Sequence, residues 1–211
     1  MDFLASLLDL FLHLDEHLAN IISNYGGWTY GILFAVIFIE TGLVIMPFLP
    51  GDSLLFAAGT FAALGSFNVW GLIGLLIIAA VTGDAVNYSI GHYLGERAYS
   101  IKWIKKEYLE KTHAFFEKHG GKAIFLARFV PIVRTFAPFV AGIGKMSYAY
   151  FATYNIVGGV TWVILFTLLG YFFGNIPFVK KNFEFVIIAI ILISVVPMIV
   201  EWWKARRASK A

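Results

Sequence analysis

Long apolar segments that few charged residues interrupt dominate the pattern of the chain. A helix needs about 20 mostly apolar residues to cross the hydrocarbon core of a bilayer. Four segments meet this length, and aromatic residues at several of their ends are typical of membrane anchors. We therefore predict transmembrane helices at residues 28–46, 70–94, 148–173 and 183–203.

Two further apolar segments, residues 47–66 and 123–146, contain helix breakers that a continuous span would not carry. Proline lacks a backbone donor, and in hydrocarbon the carbonyl group that it frees needs another partner. We therefore predict that both segments are re-entrant, leaving the membrane on the side from which they entered. The breakers are Pro50 and Gly51 in the first segment and Pro131 and Pro138 in the second.

The two halves of the chain resemble each other in the order of these features. In each half a proline break is followed by an Ala-Gly pair, at residues 58–59 and 141–142. With four spans, the two re-entrant segments would enter from opposite faces, which is the pattern of an inverted repeat around a transport site. We predict one all-α polytopic membrane domain over residues 1–211, with two opposed re-entrant helical hairpins, about four full transmembrane helices and interfacial amphipathic helices.

Amphipathic and basic segments flank this apolar core. Residues 1–24 have apolar positions at helical spacing and predict a helix lying in the membrane interface. Residues 97–122 are basic and amphipathic, and basic residues recur in the tail at 204–211. Because basic segments favour the cytoplasmic side, we place both there, although Lys180 and Lys181 would then face the opposite side.

Composition agrees with a membrane protein: 60% of the residues are hydrophobic and 18% aromatic, with a mean hydropathy of +0.79. The chain has no cysteine, which excludes disulfides, thiolate metal sites and cysteine nucleophiles. His113 and His119 lack the spacing of metal ligands, and for His13 and His17 we favour an interfacial helix over a metal or proton site. We predict no metal and no cofactor.

The second re-entrant segment carries two arginines, Arg128 and Arg134, among apolar residues. An arginine at the centre of a membrane helix costs about 2.5 to 3.5 kcal/mol on insertion scales. Both side chains should therefore face protein or a wet cavity. Two fixed positive charges in such a cavity predict a site for an anion.

Acidic and amide residues in the apolar segments are candidates for the same site. Glu40 is either an interfacial or neutral carboxyl, or a buried ion-pair partner or proton carrier. Asp52, followed by Ser53, is either a helix cap or a functional group. Asp84 is either a hydrogen-bonded structural carboxyl or a supporting member of the pocket, on a polar stripe of its helix. Two amides, Asn87 and Asn155, are further supporting candidates.

Three motifs resemble the bacterial DedA family, which is related to the VTT-domain proteins. They are E-T-G at 40–42, P-F-L-P-G-D-S at 47–53 and R-F-V-P-I-V-R-T-F-A-P-F-V-A-G at 128–142, and the resemblance covers nearly the whole chain. It implies a multi-pass protein of the bacterial inner membrane. The acidic pair and the arginine pair of the family fall on Glu40, Asp52, Arg128 and Arg134.

The resemblance also implies movement of polyisoprenoid phosphates or phospholipid headgroups across the bilayer, often tied to the proton gradient. We predict a flippase for undecaprenyl phosphate, with Arg128 and Arg134 binding the phosphate and Glu40 and Asp52 exchanging protons. The alternatives are a phospholipid scramblase, a proton-coupled antiporter and, from another class, a membrane assembly factor. An enzyme is not expected because no serine or histidine lies in a nucleophile motif.

The partners that follow are the lipid bilayer, a polyprenyl phosphate or phospholipid headgroup, and protons. No nucleic acid is expected, and a second copy of the chain is a further candidate partner. The predicted orientation places the C-terminus in the cytoplasm.

Overall fold

A computed structural model describes residues 26–43, 51–95 and 106–181. The predictions for residues 1–24, for the span at 183–203 and for the tail at 204–211 lie outside these ranges. So does Pro50, together with the first part of the basic segment at 97–122.

The described secondary structure is helical, as the sequence predicts, and the described residues contain no strand. Two helices, Val69–Leu94 and Tyr148–Gly174, are long and apolar enough to cross a membrane, with a mean hydropathy of 2.0 in each. The full count of four spans and the re-entrant path of the short segments stay predictions. The helices are α1 Trp28–Gly42, α2 Gly51–Ala63, α3 Val69–Leu94, α4 Lys106–His119, α5 Ala123–Ala127, α6 Pro131–Ile143, α7 Tyr148–Gly174 and α8 Pro177–Lys181, with a 3₁₀ turn at Gly120–Lys122.

The chain forms two compact units. The described part of the first unit contains α2, the end of α7 from Phe166 onward, and α8. The second contains α1 from Tyr30, α3 from Trp70, the helices α4 to α6 and α7 up to Leu165.

The predicted break in the second short segment lies at Arg128–Val130, between α5 and α6. Val130 is extended, with φ −119° and ψ 105°, and Pro131 occupies the first helical position of α6. This is the place where proline fits a helix, because the amide that it lacks would have no partner there. Pro138 lies inside α6 and does not end it. The break therefore presents Arg128 from a turn and Arg134 from the helix that follows.

Glycines bring α3 and α6 into backbone contact in the second unit. A Cβ atom at Gly91 would overlap the carbonyl oxygen of Phe139, and one at Gly142 would overlap that of Tyr88. A glycine of each helix thus lies directly against the backbone of the other helix. Gly95, four residues after Gly91, has a positive φ of 52° and open space around its Cβ position, so it ends the helix without taking part in the contact.

The first unit repeats this contact between α2 and the end of α7. A Cβ atom at Gly59 would overlap the carbonyl oxygen of Thr167, and one at Gly170 would overlap that of Phe56. The spacing is the same in both units: the residue whose carbonyl a helix presents to the facing glycine lies three positions before that helix's own glycine. These pairs are Tyr88 and Gly91, Phe139 and Gly142, Phe56 and Gly59, and Thr167 and Gly170. The internal duplication therefore extends from the sequence to helix packing, and the inverted orientation stays a prediction.

We expect Gly91→Ala to destabilise the protein by about 1 to 3 kcal/mol, the usual cost of overpacking, because the added methyl group meets a backbone that cannot rotate away. Gly74→Ala in the same helix is the matched control. Its Cβ position is open, and alanine is the better helix former. Thermal unfolding in detergent measures both variants. Equal stability of the two would contradict the close contact.

The amphipathic helix α4 covers the outer side of α6. Leu109 is fully buried and packs with Phe136, Phe139 and Val140. Thr112, three residues after Leu109 and on the same face of α4, is also fully buried. The described apolar face of α4 is therefore covered by protein, and α4 supports the helix that carries Arg134.

Candidate functional site

Arg128 lies in the turn before α6 and is buried, with 6% of its surface exposed. Its Nη2 atom donates to Oδ2 of Asp84 on α3 and, at 2.6 Å, to Oδ1 of Asn155 on α7. Cβ atoms at Gly158 and Gly159 would lie 3.2 Å and 3.3 Å from atoms of this side chain, so the glycines of α7 make room for it. Two helices, α3 and α7, thus hold one guanidinium group.

A second ion pair joins α6 to α1. Nη2 of Arg134 donates to Oε1 of Glu40 at 2.6 Å, and the side chains are 15% and 4% exposed. Of the alternatives for Glu40, the structure shows the buried ion-pair partner. Asp84, which the sequence left open between a structural and a pocket role, is the ion-pair partner of Arg128.

Trp162 of α7 brings the two pairs together. The central guanidinium carbons of Arg128 and Arg134 lie 5.7 Å and 5.5 Å from the centroid of its ring. These distances are within the range of cation–π attraction, which is stronger in a desolvated site. The ring is 1% exposed, so one buried indole serves both cations.

The ion pairs surround a small cavity. Its volume is about 10 Å³, which is room for about one water molecule and too little for a phosphate group. All seven lining residues belong to the second unit, and they are Glu40, Thr41, Asp84, Arg128, Arg134, Thr135 and Trp162.

Two buried amides tie the walls of the cavity together. Nδ2 of Asn87 donates to the carbonyl oxygens of Thr41 at 3.0 Å and Thr135 at 2.9 Å, joining α1, α3 and α6. Nδ2 of Asn155 donates to the carbonyl oxygen of Val81 at 3.0 Å, joining α7 to α3. The Nδ2 atoms of both amides thus hold the backbones of neighbouring helices together. These helices carry charged side chains of the cavity, whose positions are fixed as a result.

Two predicted site residues belong to the first unit, whereas the residues that line the cavity belong to the second. Asp52 and Ser53 are in the first turn of α2, which belongs to the first unit, and Gly51 begins that helix. Asp52 is the second residue of α2, where the helix dipole favours a negative charge, and not the residue before the helix that would be its N-cap. A role of Asp52 at the arginines stays a prediction.

Sequence reasoning missed Thr41, Thr135 and Trp162 as lining residues. The spacing in the sequence could have identified Trp162, because Asn155, Gly158 and Trp162 recur at helical spacing on one face of α7. For Thr41 and Thr135 the sequence contains no indication except that they follow Glu40 and Arg134 directly. Within the described residues, no group of three His, Asp or Glu side chains could hold a metal ion.

The site consists of two carboxylates and two guanidinium groups in equal number, buried among apolar helices. Each cation already has an anionic partner. A further anion that binds both guanidinium groups would therefore take the place of one or both carboxylates.

Comparison with known proteins gives consistent results. Residues 49–172 match the VTT domain family. The chain is 54% identical to Protein DedA of Escherichia coli strain K12, over 99% of this chain and 98% of that protein. It is 35% identical to inner membrane protein YqjA of the same strain, over 94% and 91% of the two chains. It is also 42% identical to an uncharacterized membrane protein of Mycobacterium leprae, over 82% and 79%. No solved structure matches.

Proposed function

Because the chain belongs to the DedA family of VTT-domain membrane proteins, we propose that it is a transporter that moves a lipid phosphate across the bacterial inner membrane. The carrier lipid undecaprenyl phosphate is the proposed substrate. The observation that carries the proposal is the pair of buried guanidinium groups, Arg128 and Arg134, on one cavity and against one tryptophan.

The chemistry of arginine fits a phosphate group. Guanidinium offers several N–H donors in a planar fork that matches phosphate oxygens, and it stays charged when buried. Both hydrogen bonds of Arg128 come from Nη2, and its Nε has no acceptor among the described residues. The headgroup would bind in the cavity while the isoprenoid chain stays in lipid.

Protons would balance the charges during transport. When the phosphate group replaces the carboxylates as the partner of the arginines, the carboxylates are left in apolar surroundings. An unpaired charge is costly there. Glu40 is the proposed proton carrier in the cavity, and Asp52, from the family resemblance, is a proposed proton carrier outside the set of residues that line it. The proposed orientation keeps the C-terminus in the cytoplasm, on the side favoured by its basic tail.

A phospholipid scramblase or a proton-coupled antiporter would use the same site and is the second candidate. We do not propose an enzyme, because the sequence places no serine or histidine in a nucleophile motif. A membrane assembly factor would not need four buried charges, whose placement is energetically costly.

Reconstitution into vesicles that contain labelled undecaprenyl phosphate tests the proposal. A phosphatase added outside reaches the outer leaflet only, so protein-free vesicles should keep their inner-leaflet label. We expect the protein to expose all of the label, and to do so without altering the lipid when phosphatase is omitted. A chemically changed lipid would indicate an enzyme. A protected inner leaflet would contradict transport, and equal movement of a labelled phospholipid would favour the scramblase.

A further inference from the structure

The four charged groups of the cavity form a neutral set. Glu40 and Asp84 each carry a negative charge that balances Arg134 and Arg128, and all four side chains are at most 15% exposed. Of the described residues that line the cavity, the remaining three, Thr41, Thr135 and Trp162, carry no charge. The described lining of the cavity therefore consists of two acids, two bases and three uncharged residues.

A phosphate group changes this balance. A phosphomonoester carries close to two negative charges above about pH 7, whereas a phosphodiester carries one. The cavity has room for about one water, so the headgroup must displace carboxylates from their arginines. If the displaced carboxylates stayed ionised, the buried site would hold up to two uncompensated negative charges, at a cost of several kcal/mol for each.

The contacts of Arg128 show how it can exchange partners without losing its place. The same Nη2 atom binds both Asp84 and the neutral amide of Asn155, and the guanidinium group also faces Trp162. Asp84 can leave while Asn155 and the ring still hold the cation. Glu40 pairs with Arg134, whose guanidinium group faces the same ring.

We propose that Asp84 is a second proton-binding carboxyl beside Glu40, so that a phosphomonoester enters with two protons and a phosphodiester with one. This inference rests on the proposed function and adds to it the number of protons that bind together with a phosphomonoester or a phosphodiester. One proton goes to each carboxyl that phosphate displaces, and the occupied site is again neutral. The role expected for Asp84 is thus chemical as well as structural.

Proton uptake on binding measures this count directly. Purified protein in detergent is titrated at about pH 8 with farnesyl phosphate, a monoester, and with its methyl ester, a diester of the same chain. Calorimetry in two buffers of different ionisation enthalpy gives the protons taken up. We expect about two protons per monoester and about one per diester, since each displaced carboxylate must be neutralised.

Amide variants assign the protons. Asp84→Asn and Glu40→Gln should each lower the monoester count to about one, because each variant removes one displaced charge. Glu110→Gln replaces an exposed acid on α4 and is the matched control, with an unchanged count expected. The dependence of wild-type affinity on pH is a second measurement that needs no variant. By linkage, two protons make the monoester affinity fall about a hundredfold for each pH unit in this range, and one proton about tenfold.

The outcomes separate the two proposals. A monoester that binds wild-type protein with a count that Asp84→Asn leaves unchanged would overturn the role of Asp84 and leave the phosphate site intact. Equal counts for monoester and diester would also overturn it. Absence of binding by both probes would contradict the proposed function itself.

Discussion

Arg128→Ala should abolish lipid phosphate transport and also destabilise the protein. The substitution removes one of two cations that hold the headgroup and leaves Asp84 buried without its counterion. Breaking a buried ion pair by removing one partner costs about 3 to 5 kcal/mol. Vesicle transport and thermal unfolding, measured on the same preparations, should both fall.

A double variant separates the two effects. Arg128→Ala with Asp84→Ala removes both charges, so most of the lost stability should return, while transport should stay absent because the phosphate ligand is missing. A double-mutant cycle gives the coupling between the two side chains. Transport by either variant at close to the wild-type rate would show that Arg128 is not needed to bind the phosphate group.

Arg134→Lys should weaken phosphate binding about tenfold to a hundredfold and slow transport by a similar factor. Lysine keeps the charge and can still meet Glu40, but it lacks the planar fork. The loss of one charge-assisted hydrogen bond is worth about 1.5 to 3 kcal/mol, which sets this range. Stability should change less than in Arg128→Ala, because the buried carboxylate keeps a cation nearby.

Lys118→Ala on the exposed side of α4 controls for a general effect of positive charge on anionic lipid. We expect wild-type transport from it, since it lies on the solvated face of α4 and does not line the cavity. If Arg134→Lys transported as well as this control, charge alone would suffice and the fork would have no role.

The sequence predicted the helical class because apolar length and helix breakers are local properties. Pro131 marked the break that presents Arg128, and the cost of arginine in an apolar segment indicated that both arginines face the protein interior. The duplicated glycine contacts of the two units were also indicated in the sequence by the repeated Ala-Gly pairs at 58–59 and 141–142.

The pairing within the site could not be predicted, since it depends on how the helices pack. Glu40, Asp52 and Asp84 were all candidate partners of the arginines, and nothing in their sequence separations distinguishes them. The contact of Gly91 with α6 sets the approach of α3, and with it the position of Asp84 next to Arg128. The burial of Thr112 is similar, because periodicity shows that α4 has an apolar face but not what covers it.

The central claim is that Arg128 and Arg134 together bind the phosphate group of a lipid. Equilibrium binding of farnesyl phosphate and of uncharged farnesol to wild type, Arg134→Lys and the Arg128→Ala, Asp84→Ala double variant tests it most directly. We predict that farnesyl phosphate binds wild type far more tightly than farnesol does, and that both variants lose this preference in large part while binding farnesol as before. Equal affinity of all three proteins for farnesyl phosphate would contradict the claim.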